Sequence, residues 1–110
     1  MQTRLYKGRD GWKAETTVLL DEPYALRFHT GKGSRGLRTS ATRVKIEPAL
    51  AGSAFTGISF MMFQDFSATV AENRAARCTE KSVSLLHQEA LAQLDQIKAD
   101  CAAHYAAKGA

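Results

Sequence analysis

The spacing of apolar residues changes once along this chain, and the change limits the folds that it can adopt. Up to about residue 71, apolar and polar residues alternate, which is typical of β-strands with one buried face. Beyond residue 82 the intervals become three or four residues, the spacing of one face of a helix. The residues of this helical stripe are Leu86, Ala90, Leu94, Ile97, Cys101 and Tyr105. The pattern predicts an α+β protein, an antiparallel sheet of hairpins followed by one long C-terminal helix.

About four to six strands are predicted, joined as hairpins. The strand segments are residues 3–7, 12–20, 24–29, 37–47, 55–63 and 66–71. Asp10 and Gly11 supply a turn that tolerates positive φ between the first two. The run FMMF at residues 60–63 is apolar on both faces, which predicts a central strand or a strand at a subunit interface.

The helix is predicted to run from about residue 84 to residue 108, with Ser82 or Ser84 as its N-cap and Gly109 just past its end. At about 1.5 Å per residue it would be roughly 37 Å long, more than one small sheet needs for cover. Its last turns are rich in alanine, which permits close approach of a second helix. We therefore expect a homodimer that pairs through the C-terminal helix.

Size and composition predict one domain over residues 1–110, with the sheet in residues 1–78 and the helix in residues 82–108. Hydrophobic residues make up 45% and charged residues 24% of the 110 residues, as in ordinary globular proteins. The first ten residues contain no apolar core of the signal-peptide type, and FMMF is the longest strongly apolar run. These features predict a cytoplasmic protein without membrane association, in which Cys78 and Cys101 are reduced.

Positive charge is concentrated in the first part of the chain. The net charge is +4; residues 1–48 hold ten Lys or Arg against five acids, a balance of +5, and residues 49–110 hold five against six, a balance of −1. Such an asymmetry suits a surface that binds a polyanion, although many proteins with a modest positive charge bind no nucleic acid.

The segment HTGKGSRGLR at residues 29–38 combines glycines with cations between two predicted strands. It does not match the nucleotide-hydrolysing P-loop, because the required glycine is replaced by Leu26. Its glycines could expose backbone N–H groups to a phosphate while its cations supply charge. These residues are Gly31, Gly33, Gly36, Lys32, Arg35 and Arg38. The alternative is a hairpin turn whose charges only keep it solvated.

Aromatic residues lie among the cations of the first half, as they do in proteins that stack the bases of single-stranded nucleic acid. Trp12, beside a turn, is the best candidate for an exposed ring, and Phe28 is expected in the core. For Tyr6, which lies near Lys7 and Arg9, both a core position and an exposed position stay open. Arg43 and Lys45 are expected on the open face of their strand. The predicted site for single-stranded DNA or RNA is Lys7, Arg9, Trp12, Lys13, Lys32, Arg35, Arg38, Arg43 and Lys45.

No pattern in the sequence indicates catalysis or a cofactor. There is no nucleophile elbow, no cluster of metal ligands and no spaced carboxylate pair. Cys101 and His104 are three residues apart on the helix, but two ligands do not make a metal site. We therefore expect a protein that is not an enzyme and that holds no metal or cofactor.

The segment SVSLLHQEALAQLDQI, residues 82–97, resembles the strand-to-helix junction of the single-stranded-DNA-binding coactivators called positive cofactor four. The resemblance implies a twisted antiparallel sheet and one amphipathic helix, with paired helices in a dimer whose sheets grip unpaired DNA. It covers about sixteen residues of the chain. That family has four strands where this chain has up to six, and none of its DNA-contacting positions matches a residue here.

Two other function classes remain open. One is a structural or adaptor protein that assembles through its helix and the FMMF strand, with the basic loops serving solubility. The other is a small-molecule binder that uses an apolar pocket between sheet and helix, with Met61 and Met62 as adaptable lining.

Overall fold

The structure, a computed structural model, describes residues 2–21, 24–45 and 66–109. Five strands form one antiparallel sheet in the order β1-β2-β3-β4-β5, and two helices follow. The elements are β1 (Gln2–Gly8), β2 (Gly11–Leu19), β3 (Tyr24–Lys32), β4 (Leu37–Lys45), β5 (Ser67–Asn73), α1 (Glu80–Leu91) and α2 (Leu94–Gly109). The α+β class and the antiparallel sheet of hairpins are therefore confirmed.

The prediction of one long C-terminal helix is wrong, because the helix breaks between Leu91 and Leu94. At the break, the backbone N–H of Gln93 donates to the carbonyl of Ala90 at 3.0 Å, a tighter turn than an α-helix makes. The Gln93 side-chain amide donates to the Val70 carbonyl of β5 at 3.3 Å. This bond ties the joint between the helices to the edge of the sheet.

A bulge in β5 provides the acceptor for that bond. Thr39 of β4 lies opposite Ala71, and the next residue, Ser40, lies opposite Thr69, so Val70 is an extra residue without a partner in the register. An extra residue of this kind interrupts the ladder locally.

Helix α1 begins earlier than the sequence suggested. Its N-cap is Thr79, whose side-chain oxygen accepts a hydrogen bond from the backbone N–H of Ser82 at 3.2 Å. The predicted caps Ser82 and Ser84 lie inside the helix instead. Glu80 in the first turn adds a negative charge where the helix dipole favours it.

The core lies between one face of the sheet, here called the helix face, and the two helices. Leu26 and Phe28 of β3 are fully buried there and pack in one cluster with Ala90, Ile97 and Cys101. A second cluster joins Ala14 and Leu37 of the sheet to Val83 and Leu86 of α1. The helical stripe is confirmed as the side that packs on the sheet.

The turn predicted at Asp10 and Gly11 is confirmed in position. Gly8 and Gly11 pair across it, which leaves residues 9–10 as the turn, and Gly11 has a φ of 113°. Cys78 and Cys101 are not joined in a disulfide. The predicted strand at residues 55–63, with the FMMF run and Met61 and Met62, lies outside the described residues. Within the described ranges, neither helix is long and apolar enough to cross a bilayer.

Candidate functional site

Both basic hairpin turns lie at the same end of the sheet. Because the strands are antiparallel, the β1–β2 turn, the β3–β4 turn and the last residue of β5 all lie at the same end of the strands. Neighbouring strands are about 4.8 Å apart, so the two turns are separated by roughly 10 Å. We call this end of the sheet the basic end. It brings together six of the eight predicted site cations, Lys7, Arg9, Lys13, Lys32, Arg35 and Arg38.

A cleft of about 240 Å³ opens at the basic end between the β3–β4 turn and the end of β5. We call it the arginine cleft. Its lining residues are Gly33, Ser34, Arg35, Arg38, Glu72 and Arg74. Arg74 Nε lies 3.6 Å from Glu72 Oε2, and the Arg74 side chain is 72% exposed, so its guanidinium is accessible to a ligand.

Arg74 was missed by the sequence reasoning. It falls in the less basic part of the chain, where no local pattern set it apart. Only the pairing of β5 with β4, which places Glu72 opposite Arg38, brings it next to the basic turn. The strand order, and not a local motif, places Arg74 at this site.

Arg43 and Lys45 lie at the opposite end of the sheet from the basic turns. The expectation that Arg43 lies on the open face is wrong, because Thr39 and Ala41 of the same strand face are fully buried under the helices. The Arg43 guanidinium carbon lies 3.8 Å from the ring centre of Tyr24 and 3.6 Å from that of Tyr105. Arg43 therefore links the sheet to α2 by cation–π contacts.

Trp12 is half-buried and packs against the cluster of Ala14 and Leu37, so the structure does not place it as an exposed ring. The aromatic side chain on the other face of the sheet, here called the open face, is Tyr6. The Arg4 guanidinium carbon lies 4.4 Å from the centre of its ring. Within the described ranges, Tyr6 is thus the aromatic residue that lies beside the cations on the open face.

A polar cluster around Glu15 occupies the middle of the open face. Tyr6 donates its hydroxyl hydrogen to Glu15 Oε1 at 2.9 Å, and Arg27 forms an ion pair with the same oxygen. His29 Nε2 lies 4.0 Å from that oxygen. The sequence signal for this cluster was the alternation in β3, where Arg27 and His29 flank the buried Phe28.

The charge states in this cluster follow from burial and neighbours. Burial acts to raise the pKa of Glu15, but hydrogen bonds from Tyr6 and Arg27 outweigh it and lower the pKa below its usual value. Burial, together with the hydrogen bond to Glu15, raises the pKa of Tyr6. Burial lowers the pKa of His29, and Arg27 and Lys13 add to this effect against the opposing influence of Glu15. Glu15 is therefore ionised and His29 neutral at pH 7.

Replacing Glu15 with Gln is expected to reduce stability by about 1–2 kcal/mol at pH 7, because charge-assisted bonds become neutral ones. Since the pKa of Glu15 is lower in the folded chain, its contribution is present above about pH 4.5 and is lost as the pH falls through the folded pKa. Urea unfolding at pH 7 and at pH 3 measures both effects. The matched control is Glu72→Gln, whose side chain is 42% exposed and should matter little. Equal losses for the two variants would contradict the prediction.

The helix residues considered as metal ligands are used in other ways. Both ring nitrogens of His87 are hydrogen-bonded to core threonines, at 2.7 Å each. Cys101 is buried in the core, and His104 packs edge-on against Phe66 and Tyr105. Among the described residues there is no group of three or more His, Cys, Asp or Glu that could hold a metal ion.

No protein-family model matches this chain, and neither a curated protein nor a solved structure matches it. The function assigned to the chain therefore depends on the chemistry of its own residues.

Proposed function

We propose that the protein binds single-stranded nucleic acid, DNA or RNA, without catalysis, through its basic end and the adjoining open face. This proposal rests on one observation: six of the predicted cations lie together at the basic end of the sheet, and five of them are exposed. Exposed cations at one edge can contact successive phosphates of one strand. The resemblance to positive cofactor four, in which a sheet grips unpaired DNA, points the same way.

The open face supplies a surface for bases beside the phosphate contacts. Tyr6 and Arg4 are stacked there, and both a phenol ring and a guanidinium plane can carry an unpaired base. Base stacking on such groups contributes about 1–3 kcal/mol per base. Because paired bases do not present their faces, this surface favours single strands over duplexes.

A titration of a labelled single-stranded oligonucleotide at several salt concentrations tests the proposal. If six cations meet phosphates, log K should fall against log salt with a slope of about −0.7 × 6, or roughly −4. A duplex of the same sequence should bind more weakly. Absence of binding at low salt, or affinity that does not respond to salt, would overturn the proposal.

Charge reversal at the basic end is expected to weaken binding at least about tenfold and to make the salt slope less steep by about 1.4, for two lost contacts. The test variant is Lys32→Glu with Arg35→Glu. The matched control, Lys45→Glu with Lys98→Glu, alters two exposed cations away from the basic end and changes the net charge equally. Equal losses in the two double variants would show that only net charge matters.

We further propose that the protein is a cytoplasmic homodimer that pairs through α2. Five alanines on this helix are exposed, and they would let a second helix approach closely. They are Ala99, Ala102, Ala103, Ala106 and Ala107. A protein that assembles by this surface without binding nucleic acid is the second candidate function.

Ala103→Arg should convert the dimer to a monomer, because a long charged side chain would block helix contact. Light scattering after size exclusion measures the mass of the particle. Lys98→Arg, which keeps both charge and length, is the control. A monomeric parent chain would contradict the dimer, and a dimer that binds no oligonucleotide would favour the second candidate.

A further inference from the structure

We propose that the arginine cleft binds the terminal phosphate of a nucleic-acid strand. This inference rests on the proposed function and adds to it the recognition of a strand end. The cleft differs from the rest of the basic end because it is concave and is lined by arginines from two segments, here called its walls. Arg35 and Arg38 belong to the β3–β4 turn and the start of β4, and Arg74 follows the end of β5.

The charge of the cleft suits a phosphomonoester. Three arginines and one glutamate line it, so its formal charge is 3 − 1 = +2. A terminal phosphate carries about −1.5 to −2 charges at pH 7, whereas each internal phosphate carries only about −1. Guanidinium groups also match the phosphate oxygens with two parallel hydrogen bonds, which terminal oxygens accept more freely.

The walls of the cleft are held together by backbone contacts. The Gly33 N–H donates to the Gly36 carbonyl at 3.0 Å, which closes the β3–β4 turn. Gly36 lies so close to the end of β5 that a Cβ atom there would be 2.1 Å from the Asn73 carbonyl oxygen. Asn73 in turn accepts a hydrogen bond from the Ala75 N–H on its side chain, at 3.2 Å. The spacing between the walls is therefore set before a ligand enters.

Glu72 forms an ion pair with one of the arginines of this site. Its carboxylate lies 3.6 Å from Arg74 Nε, and both residues line the cleft. The Arg74 side chain is still 72% exposed, so it can meet a phosphate while it keeps this pair.

The test compares one oligonucleotide in three forms, with a 5′-phosphate, with a 3′-phosphate and with neither, by fluorescence anisotropy. Either the 5′-phosphorylated or the 3′-phosphorylated form should bind about tenfold tighter than the unphosphorylated form. A tenfold gain is about what one added pair of charge-assisted hydrogen bonds would provide. Arg74→Gln should abolish this preference, so that the three forms bind alike. The matched control is Arg77→Gln, an exposed arginine outside the cleft, which should keep the preference.

The outcomes separate this inference from the proposed function. Equal affinity for all three forms would overturn the terminal-phosphate site and leave single-strand binding intact. No binding of any form would overturn both. A phosphoserine peptide that binds as tightly as the phosphorylated strand would also overturn the inference, because the cleft would then recognise a phosphopeptide rather than a strand end.

Discussion

Replacing His87 with alanine is expected to destabilise the protein by about 3–6 kcal/mol, because the ring is the centre of a buried hydrogen-bond network. His87 is 1% exposed, and its neighbours Thr16 and Thr30 are 1% and 0% exposed. Nε2 of the ring is bonded to Thr16 and Nδ1 to Thr30. The ring thus joins α1 to both β2 and β3 through polar contacts inside the core.

The network continues across the sheet on both sides of the ring. The Thr16 hydroxyl is bonded to Thr3 of β1 at 2.8 Å, and the Thr30 hydroxyl to Thr39 of β4 at 2.6 Å. A neutral imidazole has one donor and one acceptor nitrogen, and a hydroxyl can serve as either. All four hydrogen bonds of this network can therefore form at the same time, each with one donor and one acceptor.

The expected loss combines two physical costs. Removal of a buried ring leaves a cavity, which accounts for roughly 2–3 kcal/mol in a core that collapses only partly. Loss of two hydrogen bonds adds about 0.5–1.5 kcal/mol each. The sum is a large part of the ~5–15 kcal/mol that stabilises a typical domain.

Urea unfolding followed by circular dichroism measures this loss. Leu85→Ala is the matched control on the same helix, because its side chain is 52% exposed and should change stability by only about 0.5 kcal/mol. A loss for His87→Ala no larger than that of the control would contradict the network's role.

The pH dependence of stability gives the same variant a second readout. Burial lowers the pKa of His87, and the nearby His29 lowers it further, while Glu15 acts in the opposite direction. The unfolded chain therefore binds protons more readily, and the stability conferred by neutral His87 is lost as the pH falls from about 6.5 toward the lower folded pKa. His87→Ala should remove this part of the slope and leave the part due to His29.

The sequence predicted those parts of the fold that depend on repeated apolar spacing. Alternation gave the hairpins, and the stripe through Leu86, Ala90 and Ile97 gave the packed face of the helices. The break at Gln93 was not predicted, because the apolar stripe continues across it, and Ala90 and Ile97 on its two sides both lie in the core. The sequence alone does not show that Val70 in a distant strand offers a carbonyl to Gln93.

The candidate site was predictable only where its residues are close together in the sequence. Lys32, Arg35 and Arg38 flank one turn, so their proximity follows from the chain itself. Arg43 and Arg38 are five residues apart in β4, so they lie on opposite faces of the sheet. The strand's own sequence does not show which of these faces the helices cover, and they cover the face of Arg43. Arg74 joins the cleft through strand pairing, which composition does not reveal.

Gly36→Ala is expected to destabilise the protein by about 2–4 kcal/mol and to open the arginine cleft. Gly36 has a φ of 65°, and an added Cβ would lie 2.1 Å from the Asn73 carbonyl oxygen and 2.6 Å from the Arg74 Cα. The left-handed backbone costs alanine about 1–2 kcal/mol, and the clash with backbone atoms costs roughly as much again. Since neither contact is with a flexible side chain, the turn and the end of β5 must separate.

Gly33→Ala in the same turn is the matched control. Its added Cβ would be 3.4 Å from the Arg38 Cβ, an ordinary contact, so stability should change by only about 0.5 kcal/mol. Urea unfolding compares the two variants, and the three oligonucleotide forms compare their binding. Gly36→Ala should lose the preference for a terminal phosphate at a temperature where it is still folded, because Arg74 moves away from Arg35 and Arg38. If Gly36→Ala keeps that preference, the walls of the cleft are not fixed by this contact, and the spacing between them depends on other residues.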